Sequence, residues 1–112
     1  MNKFGLYSEK PTISFETHLE GLDQETKTLL TELREFVKLC GGNVIEEIRP
    51  HRIVYAKSLT FRYFLDIQPR KESLLISIRK SRKEPSTEYI VKNMQEVEKI
   101  KLEISQAYTK IN

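Results

Sequence analysis

The residues able to do chemistry are few, and their spacing argues against most of it. His18 and His51 are the only imidazoles, and neither has a second His, Cys or acid at an interval suited to a shared metal ion. His51 sits in the turn-like run Arg49-Pro50-His51-Arg52, and His18 is expected on a helix surface. The acids come closer to a pattern. A restriction-type nuclease needs a carboxylate on one strand, then a second carboxylate and a lysine one residue apart on the next, which together hold a metal ion and an attacking water. Glu46 or Glu47 followed by Asp66-Ile67-Gln68-Pro69 has that order, but Gln stands for the second acid and Pro for the lysine. These acids are expected to be solvated or paired with arginines. Gly41-Gly42 is not followed by the lysine of a phosphate loop, and no nucleophile elbow frames a Ser or Thr. The expectation is a non-enzyme with no catalytic residue, metal or cofactor.

Charge placement is more informative. Residues 49–83 carry ten cations against two acids, a local balance of +8, while the rest of the 112-residue chain sums to −5. A basic middle between acidic flanks suggests a surface that meets an anion.

The elements that must position this surface follow from periodicity. Leu29, Leu30, Leu33, Phe36, Val37 and Cys40 recur at helical spacing within residues 23–40, with Asp23 as N-cap and Gly41-Gly42 as the stop. A shorter helical turn capped by Ser14 is expected before it. From Asn43 the period changes to two. Strands are expected over residues 44–49, 52–57, 60–67 and 74–80, with an edge strand over 87–92, and turns at Pro50-His51, Lys57-Ser58 and residues 68–71. Connections this short dictate an antiparallel meander. Asn93 and Glu96 open a last helix whose apolar stripe is Val97, Ile100, Ile104, Ala107, Tyr108 and Ile111. The fold class is therefore α+β, with the helices packed on one face of a four- to five-stranded antiparallel sheet. Residues 14–112 form the single domain, and residues 1–13 an N-terminal segment, flexible or folded over the sheet.

The stretch from Val54 to Ile78 contains Tyr55 and Lys57, an aromatic run through Phe64, Asp66 with Pro69, and Leu74-Leu75. In these features, and in the final Gln106-Ala107-Tyr108, the chain resembles a small prokaryotic family of unknown function loosely labelled a predicted transport protein. The resemblance covers about residues 14–110. Members often occur appended to other domains, some of them nuclease-like, which implies an α+β fold and an association with nucleic acid. The chain differs from that family by standing alone, and by having residues 79–85 where the family carries a Gly-rich, His-containing segment. The resemblance supplies no catalytic residue.

Strict alternation along the third strand directs Phe61, Tyr63, Leu65 and Ile67 toward the helices, and Arg62, Phe64 and Asp66 away from them. Arg52, Arg62 and Arg79 on the outward face, with Lys80, Arg82 and Lys83 clustered beside Arg79 next to a turn, would contact phosphates of DNA or RNA, and Phe64 would stack on a base. Val54, Phe64, Leu75 and Ile90 also make this face partly apolar, which suits a protein-interaction or homodimer surface instead. No apolar run is long enough to span a membrane. The single Cys40 and the polar N-terminus point to the cytoplasm.

Overall fold

The computed structural model describes residues 13–57 and 62–111. Within them the elements run α1 (Phe15–Leu19), α2 (Gln24–Lys38), β1 (Val44–Ile48), β2 (Ile53–Lys57), β3 (Arg62–Arg70), β4 (Ser73–Ile78), β5 (Thr87–Val91) and α3 (Met94–Lys110). The five strands pair antiparallel in chain order, as short connections require. The expected meander, its edge strand and its helical cover are all present.

Each helix begins where cap chemistry places it. Ser14, Asp23 and Asn93 accept hydrogen bonds from the backbone N–H of Thr17, Thr26 and Glu96, supplying acceptors for donors that the first turn leaves open. Glu96 completes the last cap by accepting from the N–H of Lys92 at 2.7 Å. Helix α2 ends at Lys38, before the two glycines. Gly41 has a different use: a Cβ there would run into the Tyr108 ring, so its bareness lets α3 close on the end of α2.

Helices α2 and α3 lie against one sheet face and bury it. Leu29, Leu30, Leu33 and Val37 from α2 meet Val97, Ile100, Ile104 and Ala107 from α3 over Ile53, Tyr55, Leu65, Ile67, Leu74, Ile76 and Ile78. Cys40 is half-buried beside this core, and burial raises its thiol pKa. Phe15 of α1 joins the core beneath the Arg34 guanidinium, which lies 4.2 Å from its ring centre. No helix among the described residues is long and apolar enough to cross a membrane.

Strand β3 departs from simple alternation. Tyr55 pairs with Leu65, but the next residue, Ala56, pairs with Tyr63, so Phe64 is an extra residue in the ladder. In such a bulge two residues of one strand oppose one of its partner. Phe64 and Leu65 both turn toward the helices, and both are fully buried. The expectation that Phe64 faces outward is therefore corrected: its ring packs edge-on against Tyr108 of α3, with centroids 5.5 Å apart. Tyr63, expected inside, is 44% exposed on the opposite face. Strand β3 also runs on to Arg70, through the expected turn. Pro69 lies past the last β2–β3 pair, Ile53 with Ile67, where β3 has a neighbour on one side only and a missing N–H is tolerated.

Residues 1–12, 58–61 and 112 lie outside the described residues, and with them the expected N-terminal segment before Ile13, Ser58 of the expected Lys57-Ser58 turn, and Thr60 and Phe61 at the expected start of the third strand.

Candidate functional site

The helices occupy one face of the sheet, and the candidate site is the other. Register places its side chains in rows. Glu47 pairs with Val54, Val54 with Asp66, Asp66 with Ser77, and Ser77 with Glu88, one residue from each strand. Arg49 and Arg52 extend β1 and β2 on this face, and Arg79 extends β4. Among the described residues an open hollow of about 710 Å³ lies here, bordered by Arg49, Arg52, Arg62, Arg79 and Arg82. Only two acids, Asp66 and Glu88, border it with them. Five cations against two acids give the hollow a net positive charge, matching the basic middle of the sequence.

The arginines differ in how they are held. Arg52 donates to Asp66 at 2.7 Å, a partly exposed pair. Arg49 donates to Glu47 at 2.9 Å and to the Tyr63 hydroxyl at 2.8 Å, and that hydroxyl donates to Glu47 at 3.0 Å. The Arg49 and Tyr63 hydrogen bonds hold the Glu47 carboxyl below its ordinary pKa, and the Glu47 contact raises that of Arg49. Arg79 and Arg82 make no side-chain ion pair or hydrogen bond with the described residues. Arg62 borders the hollow from across the bulge, paired in register with Lys57.

Two other expected contacts change place. Lys80 follows Arg79 by one residue, and the alternation of β4 continues through it, so the two side chains part. Lys80 reaches the helix side, 3.3 Å from the amide oxygen of Gln106 and 3.9 Å from the Glu103 carboxylate. Phe64 cannot present its ring to a ligand from inside the core, and the exposed aromatic beside the arginines is Tyr63. Lys83 is exposed in the loop 79–86, where its N–H donates to the Ser81 hydroxyl at 3.1 Å.

The nuclease-like acids are separated by the pleat. Glu46 pairs with Tyr55 and lies on the helix face, whereas Asp66 lies on the open one. Glu46 is clamped by two hydrogen bonds from Arg34, at 2.9 and 3.0 Å, and one from the Tyr55 hydroxyl at 2.8 Å. Burial would raise its carboxyl pKa, but the Arg34 and Tyr55 hydrogen bonds and the Arg34 and Lys38 charges outweigh that and lower it. The Tyr55 hydroxyl is pushed up strongly by burial and by Glu46. Glu47 shares the open face with Asp66, but Val54 stands between them, which puts the two roughly 10 Å apart at two strand spacings. No group of three His, Cys, Asp or Glu among the described residues is arranged to hold a metal ion.

One positioning residue escaped the sequence reading. His18 lies 2.7 Å through Nε2 from the carbonyl oxygen of Arg49, which can only accept, so Nε2 carries the proton. The Arg49 N–H in turn donates to the Arg52 carbonyl at 2.9 Å, closing the β1–β2 turn. His18 thus ties α1 to the turn that carries Arg49 and Arg52. The only signal for it was an imidazole next to a helix end, which does not name a partner.

Compared with protein-family models, with curated proteins and with solved structures, the chain matches none.

Proposed function

We propose that this protein is a non-catalytic binding module whose open sheet face engages nucleic acid. The observation that carries the reading is the convergence of five arginines from three stretches of the chain, residues 49–52, 62 and 79–82, on one hollow of a face that α2 and α3 leave uncovered. Guanidinium groups suit phosphate oxygens because their donors form a planar fork. Arg79 and Arg82, without ion pairs among the described residues, have donors to offer. The Arg52–Asp66 pair is partly exposed, and such pairs contribute about 0–1 kcal/mol, so a phosphate can replace the carboxylate at little cost. The same reading places the protein in the cytoplasm, where a lone reduced thiol such as Cys40 is ordinary.

A second reading has its own observation. Ile90 is 60% exposed and Ile45 37% exposed, and both lie on the open face, on β5 and β1. Apolar residues at the two margins suit a protein partner or a second copy of the chain.

Size-exclusion chromatography with light scattering, with and without a short oligonucleotide, separates the two. For nucleic acid, a complex forms at low salt and is lost in the Arg79→Glu/Arg82→Glu double variant, whose melting temperature stays near that of the wild type. Binding unchanged by the charge reversal, with an oligomer dissolved by Ile90→Glu, would replace the nucleic-acid reading by the protein interface.

A further inference from the structure

The bulge does more than bury Phe64: it turns Tyr63 outward, into the ring of arginines. We propose that the ligand presents unpaired bases on a phosphodiester chain, and that one base stacks on Tyr63. This rests on the nucleic-acid reading above and narrows it to single strands, whether RNA or DNA.

Tyr63 is suited to this by how it is held. Its hydroxyl is engaged by both Arg49 and Glu47, so the polar end of the side chain is satisfied and the ring is fixed before any ligand arrives. A platform already ordered loses little side-chain entropy on binding. The Arg49 guanidinium lies over the ring, its carbon 5.1 Å from the ring centre, so one face of Tyr63 already carries a cation and a base would stack on the other. Base stacking on an aromatic or guanidinium plane tolerates any base, because every base has a π face. In a duplex those faces are covered by neighbouring pairs, so only an unpaired base can use the ring. Arg52, Arg79 and Arg82 border the same hollow and are placed to take phosphates on either side of that base.

The test compares a single-stranded DNA oligonucleotide, its RNA counterpart, the matching duplex, and inorganic polyphosphate, which has charge but no bases. Each is titrated against wild type, Tyr63→Ala and Tyr63→Phe at one salt concentration, after thermal unfolding has shown all three proteins folded. The wild type is expected to prefer the single strands to the duplex. Tyr63→Ala should lose at least about fivefold on both single strands and nothing on polyphosphate, while Tyr63→Phe, which keeps the ring, retains most of the affinity. Stronger affinity for the duplex, a Tyr63→Ala variant unchanged on single strands, or an equal loss on polyphosphate would overturn the stacking role and leave the arginine face standing. Failure of every oligonucleotide to bind the wild type would remove the nucleic-acid reading, and this inference with it.

Discussion

Asp66 is the residue on which the competing chemistries divide. It sits mid-row on the open face, donated to by Arg52 and bordering the hollow. In a metal-dependent nuclease such an acid is indispensable, whereas in an anion-binding face it opposes the ligand and occupies an arginine. Asp66→Asn is therefore expected to strengthen oligonucleotide binding by a few-fold, on the order of 1 kcal/mol for one removed like-charge contact near the surface. Fluorescence titration measures it. Weaker binding would mean that Asp66 orients Arg52 for the ligand instead of competing with it. The residue scale is also where the sequence was least legible. In Arg-Tyr-Phe-Leu-Asp-Ile the run Tyr63-Phe64-Leu65 already breaks strict alternation, but which of the three is the inserted residue is set by pairing with another strand and not by the run itself. That one inserted residue exchanges the fates of Tyr63 and Phe64. The clamp on Glu46 and the His18 tether were hidden for the same reason, since their partners lie 12 and 31 residues away in sequence.

Elements were far more legible, because their signals are local. Caps at Ser14, Asp23 and Asn93, and stripes at helical spacing, are properties of a few neighbouring residues, and the helices begin where these place them. The docking of α3 follows from its stripe. Ile104 is fully buried, so Ile104→Ala should cost ~2–5 kcal/mol in chemical denaturation, whereas Lys99→Ala, on the exposed side, should change little. Equal, small losses would mean that α3 is not held by that stripe. Glu103, off the stripe, is nonetheless engaged: it accepts from the Tyr89 hydroxyl at 2.5 Å and joins α3 to β5. Between α2 and β1 the tie is electrostatic. Glu46 has a folded pKa below its ordinary value of 4.5, so its contribution is fully present above that value and is lost as the pH falls through the lower folded pKa. Stability measured from pH 6 downward should therefore decline more steeply with acid in the wild type than in Glu46→Gln. Parallel profiles for the two proteins would show that the Arg34 and Tyr55 clamp does not couple protonation to folding.

At the scale of the whole molecule, the sheet divides labour between its faces. One face receives both long helices and holds the apolar core. The other concentrates guanidinium groups that the sequence had spread over residues 49–82. The central claim is that Arg79 and Arg82 meet phosphates there. It is tested most directly by the salt dependence of oligonucleotide binding, compared between the wild type and Arg79→Gln/Arg82→Gln. Each phosphate neutralised on a single strand contributes roughly 0.7 to the slope of log K against log salt, so losing two such contacts should make the slope shallower by roughly 1.4 while the melting temperature stays nearly constant. An unchanged slope in a folded double variant would contradict the account, because those two arginines would then hold no phosphate.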